Sequence, residues 1–182
     1  MDLSQSWAYI EQVARHRLDH NKTERHVSEY GEYIEVIGAA GELAARRFLG
    51  VKEDLHEHFD GGCDILYNDI RVDVKATVWT RKLMRRYLQW PIWKQIKADA
   101  ILFTAINEEK HTAVIVGYAL PHDIGRAPMN QDRDIPCFEI PIPKLRKASG
   151  LMFATCRDDL YPFSAKTRAR QGQYGYGPGA GA

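Results

Sequence analysis

Asp64, the triplet Asp73-Val74-Lys75, and Glu42 upstream are the residues of this chain whose types and spacing suggest chemistry. Between the two aspartates runs Ile65-Leu66-Tyr67-Asn68-Asp69-Ile70-Arg71-Val72. A two-residue turn at Asn68-Asp69 suits the left-handed backbone angles that tight hairpins demand. Counting outward pairs Tyr67 with Ile70, Leu66 with Arg71, Ile65 with Val72, and Asp64 with Asp73. Directly opposed positions have Cβ atoms roughly 5 Å apart, where like charges destabilise a sheet. A divalent cation would neutralise them. Hydrolysing a phosphodiester needs charge neutralisation on the phosphate, an attacking water and a stabilised leaving oxygen, and a hard cation on carboxylate oxygens supplies all three. Mg²⁺ is the expected ion, with Mn²⁺ able to substitute. Lys75, two residues along the same face, can hold a phosphate oxygen or the attacking water and oppose the charge of the transition state. Glu42 is expected to hold a second metal or to orient Lys75.

These groups need a scaffold. In the hairpin, Ile65, Tyr67, Ile70, Val72 and Val74 alternate with Asp64, Leu66, Arg71, Asp73 and Lys75, so the polar set shares one face. Residues 30–49 read as a helix with Tyr30, Ile34, Ile37, Gly41, Ala45 and Phe48 on one stripe and Gly50 as its stop. Gly38-Ala39-Ala40-Gly41 in mid-helix costs about 1 kcal/mol per glycine against alanine, which implies close approach to a sheet or ligand. Glu35, seven residues before Glu42, lies on the same helical face and competes for its role. Leu3, Trp7, Ile10, Val13 and Leu18 recur at a helical period over residues 3–20, giving an amphipathic helix whose apolar face meets the core or a second copy of the chain. A short strand is expected near 54–59. Residues 99–106 form an apolar run typical of a strand covered on both faces, with Thr112 to Ala119 beside it. Prolines 121, 128, 136, 141 and 143 break the following segment into short elements. The Gly- and Ala-rich tail from Gln171 to Ala182 is expected to be disordered. Together these predict one domain over 1–170: an α/β (α+β) fold with a central mixed sheet of four to five strands flanked by helices.

The pattern Gly38-Ala39-Ala40-Gly41-Glu42-Leu43-Ala44, then Gly62-Cys63-Asp64, then Asp73-Val74-Lys75, resembles the PD-(D/E)xK nuclease superfamily. The resemblance covers residues 30–106. It implies a restriction endonuclease-like core, with Glu42 as the first-helix glutamate and Asp64 as the aspartate opening the second core strand. Asp73 and Lys75 match the third-strand pair, and the Val74 carbonyl becomes a further metal ligand. Cys63 stands where many members have proline. No glutamine-tyrosine signature of the RecB-like branch follows the lysine, although Gln89 or Gln95 could fill that role. A D-x-K triplet also arises by chance, as a solvated ion pair on an exposed strand.

From Trp79 to Ala98 the chain carries Arg81, Lys82, Arg85, Arg86, Lys94 and Lys97 without an acidic residue, interleaved with Trp79, Tyr87, Trp90 and Trp93. Cations of this density neutralise backbone phosphates, and exposed aromatics stack on unpaired bases. For Trp90 and Trp93 burial competes with stacking. Lys144, Arg146 and Lys147, with Lys166, Arg168 and Arg170, form a lesser basic group.

The 182-residue chain is 45% hydrophobic and 27% charged with a formal net charge of +1, so nucleic-acid binding must rest on charge distribution and not on the total. Cys63, Cys137 and Cys156 form no CxxC pair, which argues against a disulfide framework or zinc ribbon. His56-Glu57-His58 followed by Cys63 and Asp64 raises a zinc reading, but a second ligand pair is missing. No leader or membrane segment is read, and a cytoplasmic location is expected. The sequence therefore predicts a Mg²⁺-dependent nuclease acting on DNA, with cleavage within the strand favoured. The alternatives are a binding or assembly protein of the same fold without turnover, and a zinc enzyme. A homodimer through the first helix is compatible with double-strand cutting, and the compact format with a phage or mobile-element enzyme.

Overall fold

The structure is a computed structural model, and it describes residues 1–21, 31–55, 63–79, 87–92, 94–132 and 136–160. The chain runs α1 (Trp7–Asn21), α2 (Gly31–Leu49), β1 (Ile65–Tyr67), β2 (Ile70–Val78), β3 (Tyr87–Pro91), β4 (Ala100–Asn107), β5 (Thr112–Ala119), α3 (Pro121–Gly125), β6 (Met129–Asn130), β7 (Cys137–Pro141) and α4 (Ser149–Met152). It is a mixed α/β fold. The main sheet has four strands in the order β1-β2-β4-β5, and a smaller sheet runs β3-β7-β6. No described helix is long and apolar enough to cross a membrane.

The hairpin forms as its turn residues dictate. Asn68 and Asp69 take φ of 48° and 61°, the left-handed pair that a tight two-residue turn requires. β1 and β2 then pair as Tyr67↔Ile70, Leu66↔Arg71 and Ile65↔Val72. The continuous ladder ends there, with an isolated bridge at Cys63 beyond it. Asp64 is a bend whose N–H donates to the Val72 carbonyl at 2.9 Å, so the expected strand pairing of Asp64 with Asp73 is replaced by a departure of the backbone one residue early.

β4 is the central strand, parallel to β2 and antiparallel to β5. Its residues are buried from Ala100 to Ile106 because both faces are covered. Ala100 and Leu102 pack with Ala45 and Leu49 of α2, whereas Ile101 and Phe103 pack with Leu88 and Trp90 of β3 and Ile140 of β7. The sheet is thus the middle layer between helices and the smaller sheet, a standard way of burying two apolar faces.

Helix α1 follows a 3₁₀ turn at Ser4–Ser6, and starts later than the periodicity from residue 3 implies. Its Trp7, Ile10 and Val13 are buried against α2, together with Leu3. The apolar stripe therefore meets the core of its own chain. α2 is wedged between α1 and the sheet and buries a wider sector than one stripe: Val36, Ala39, Ala40, Leu43 and Ala44 are all enclosed, whereas Ile34 is 60% exposed. Gly50, at φ 69°, ends the helix as glycine can without a Cβ penalty. A Cβ built on Gly41 would stand 2.6 Å from both Ala76 Cβ and Thr104 Oγ1, while one on Gly38 meets nothing within 4 Å. The small-residue patch is explained at Gly41, by contact with β2 and β4.

Residues 51–54 carry no strand and Leu55 lies in a turn, so the strand expected near 54–59 is absent from its described part; residues 56–59 lie outside the described residues. The smaller sheet is not evident from the sequence, which implies only short elements after residue 120, whereas β3 lies at Tyr87–Pro91.

Candidate active site at the head of the hairpin

Asp73 and Lys75 leave β2 on the face opposite α2, since Val72 and Val74 between them pack on the helix side. Lys75 Nζ lies 2.7 Å from Asp73 Oδ1 with hydrogen-bonding geometry. It also lies 2.6 Å from Oδ2, but off a hydrogen-bonding direction, so Oδ2 is buried without a hydrogen bond. The same ammonium donates to the Val74 carbonyl at 3.2 Å. Asp73 is only 6% exposed. Burial raises its carboxyl to about 6, against the pull of the Lys75 ammonium; the negative charge of Asp64 raises it further and the Lys94 ammonium opposes.

Asp64 reaches the same place by another route. Its Oδ2 accepts the Val74 N–H at 2.6 Å. Val72 and Val74 present their N–H groups to the same edge of β2, so this carboxylate stands in for the carbonyl that a longer β1 would have offered. Behind it lies Arg46, 2% exposed, whose guanidinium donates to the Asp64 carbonyl and the Lys52 carbonyl at 3.0 Å each. An interior arginine on two main-chain oxygens fixes the segment that delivers Asp64.

Glu42 is held differently from expectation. Arg17 of α1 grips both of its carboxylate oxygens at 2.7 and 2.6 Å, and also donates to the Leu55 carbonyl at 2.9 Å. Glu42 is thus turned toward α1, not toward Lys75. Burial raises its carboxyl, Arg17 counters, and the charge of Asp64 adds to the rise. The charge of Asp64 thus acts on both Glu42 and Asp73. The charge of Glu35 acts on Arg17, but it is Glu42 that the guanidinium holds.

On the opposite wall stands Trp90, 3% exposed. Its indole N–H donates to the Lys94 carbonyl at 2.7 Å. The Lys75 and Lys94 ammonium groups lie 5.4 and 5.2 Å from its ring centre. Trp90 is a buried platform for cations and not a surface for stacking bases. Gln89, between Leu88 and Trp90 on β3, faces away from the site and donates to Glu139 at 3.0 Å.

Among the described residues, no three or more His, Cys, Asp or Glu side chains cluster so as to hold a metal. The donors gathered here are the Asp64 and Asp73 carboxylates and the Val74 carbonyl. Mg²⁺ is commonly held by one or two carboxylates with waters completing its shell, so this set fits it, with the Lys75 ammonium now lying where it meets both Asp73 oxygens. The Lys75 ammonium meets Asp73 and the Val74 carbonyl, while Asp64 is tied to the same residue through the Val74 N–H.

Arg81, Lys82, Arg85 and Arg86 lie outside the described residues, as do Trp93, His56, Glu57, His58, Lys166, Arg168, Arg170 and the tail. Lys94 and Lys97 are exposed, and only Lys94 is placed beside the carboxylates. Of the lesser basic group, Arg146 is bound to Asp123 at 2.8 and 3.1 Å, while Lys144 and Lys147 are exposed. Sequence reasoning missed Arg17, Arg46 and the role of Trp90. Arg46 had a signal, because it lies one helical turn after Glu42 and shares its face. Arg17 had none.

Comparison with protein families, with curated proteins and with solved structures finds no match to this chain.

Proposed function

We propose that this chain is a divalent-cation-dependent nuclease of the PD-(D/E)xK type that hydrolyses phosphodiester bonds of DNA within the strand. The observation that carries the reading is the buried Asp73 carboxylate, which Lys75 straddles at 2.6 and 2.7 Å and on which the charge of Asp64 also acts. Burying a carboxylate is costly even beside one ammonium, and a second carboxylate nearby adds to the cost. Such strain fits a site meant to take up positive charge.

In this reading Asp64, Asp73 and the Val74 carbonyl hold Mg²⁺, which when bound supplies an acidified water and polarises the phosphoryl oxygen. Lys75 moves from Asp73 to a phosphate oxygen and opposes the charge that develops there. Glu42, gripped on both oxygens by Arg17, braces α2 against α1. Arg81, Lys82, Arg85, Arg86, Lys94 and Lys97 provide the nucleic-acid surface. The apolar stripe of α1 is buried in its own chain, so a homodimer would use other surface of that helix. A cytoplasmic location goes with this reading.

Plasmid cleavage with Mg²⁺, Mn²⁺ or EDTA, beside Lys75→Ala and Asp73→Asn, is the test. Nicking or linearisation by the wild type, lost in EDTA and in both variants, supports the proposal. Binding without cleavage under every metal would favour the alternative, a nucleic-acid-binding or assembly protein with this fold.

A further inference from the structure

Lys94 sits in a turn just past β3, where exposed lysines usually sweep a wide volume. Here its backbone is fixed at both ends. Its N–H donates to the Pro91 carbonyl at 3.1 Å, and its carbonyl accepts the Trp90 indole N–H at 2.7 Å. Its ammonium lies 5.2 Å from the centre of the indole that Lys75 approaches at 5.4 Å. The indole is itself rigid, packed among Leu88, Ile101 and Phe103. Two like charges gathered on one buried ring repel unless an anion lies near them. Asp73 answers Lys75 directly, and Lys94 is close enough for its charge to act on Asp73 as well.

We propose that Lys94 and Lys75 form a phosphate subsite for consecutive phosphates of one nucleic-acid strand, with Trp90 as the positioning residue that sets both ammonium groups. This rests on the nucleic-acid part of the reading above, and it gives Lys94 a place inside the site instead of in a diffuse basic surface. Lys75 addresses the phosphate that reacts, and Lys94 its neighbour. Because a lysine on phosphate reads no base, the contact is indifferent to sequence.

The experiment is anisotropy of a labelled oligonucleotide, single-stranded and duplex, titrated in EDTA at several salt concentrations so that cleavage plays no part. Wild type is compared with Lys94→Ala, Lys94→Arg, Trp90→Phe and Lys110→Ala, the last in the turn after β4, with circular dichroism confirming that each is folded. Removing one phosphate contact should lower the slope of log affinity against log salt by about one. Lys94→Ala is expected to do so and to weaken binding, Lys94→Arg to restore both, and Lys110→Ala to match wild type. Trp90→Phe keeps a ring but loses the N–H, and should weaken binding through misplacement of Lys94. A Lys94→Ala slope equal to wild type overturns the subsite, as does failure of the wild-type protein to bind either oligonucleotide. Binding with the expected slope change but no cleavage under any metal leaves the subsite standing and removes the nuclease. Cleavage with an unchanged Lys94→Ala slope does the reverse.

Discussion

Asp64 Oδ2 accepts the main-chain N–H of Val74 at 2.6 Å, so the first aspartate is fastened to the strand that carries the second. The two carboxylates owe their proximity to this bond and to the early exit of Asp64 from the ladder, not to a cross-strand pair. Asp64→Asn leaves an oxygen to accept the bond but removes the charge. It is expected to keep the fold while abolishing metal-dependent turnover, whereas Asp64→Ala should also lower the melting temperature. Equal melting temperatures for the two variants would contradict this anchoring role.

Asp73 gives a pH signature. Its carboxyl rises from 3.8 to about 6 in the fold, so between these values the unfolded chain ionises first and the folded chain holds the extra proton. Stability must therefore fall as pH rises through that window, and the loss is complete above it. Asp73→Asn removes the effect, and in EDTA it should stabilise the protein at pH 7 by about 1–3 kcal/mol. Below pH ~4 the difference should disappear. Urea denaturation at pH 3.5, 5 and 7 checks both sign and window.

Metal binding should be visible without turnover. A ligand that binds only the folded state raises stability by RT ln(1 + [L]/Kd), about 2.7 kcal/mol at a hundredfold excess over Kd. Millimolar Mg²⁺ or Mn²⁺ is expected to raise the melting temperature of the wild type, and to do little for Asp73→Asn or Asp64→Asn. An equal rise in all three would place the ion elsewhere.

The two glycines of α2 should respond in opposite ways. Gly38→Ala adds a Cβ into open space and is expected to stabilise by up to about 1 kcal/mol through helix propensity. Gly41→Ala drives a Cβ into Ala76 and Thr104, and overpacking of this kind costs roughly 1–3 kcal/mol. Thermal melts of the pair are sufficient. A neutral Gly41→Ala would mean that the helix can lift from the sheet at little cost.

Arg46 is predicted to matter more than its distance from the chemistry suggests. Arg46→Met leaves the Asp64 and Lys52 carbonyls without their donor and should destabilise by roughly 2–4 kcal/mol. Arg46→Lys, with a compact ammonium in place of a planar fork, cannot serve both oxygens as well. It should show a partial loss in melting temperature together with weaker Mg²⁺ binding. Loss of stability with unchanged Mg²⁺ affinity would make Arg46 structural only.

Much of this fold was legible because local chemistry decides it. Asn68-Asp69 fixes one turn and with it three cross-strand pairs; the unbroken apolar run of β4 announces a strand covered on both faces; Gly50 marks the end of α2. The pairing beyond Ile65 was not legible, because a bend at Asp64 depends on the Val74 N–H and on Arg46 behind it, neither of which leaves a local pattern. The smaller sheet was missed for a related reason. Its strands are two to five residues long, β3 and β7 end in proline, and those two pack on Ile101 and Phe103 instead of relying on intrinsic propensity. The partnership of Glu42 with Arg17 spans two helices, and spacing within one helix cannot announce it.

The order of the main sheet has a kinetic consequence. β1–β2 and β4–β5 are each joined by a tight reversal, and hairpins of this kind close in about 1–10 μs. Joining the two by the parallel contact of β2 with β4 must await closure of the chain from residue 79 to 99, a non-local event that folds more slowly. Asp73 and Lys75 lie within the first of these local units, whereas Asp64 also depends on Arg46 of α2 and Trp90 comes from the segment that must close, so the assembled site belongs to the non-local step.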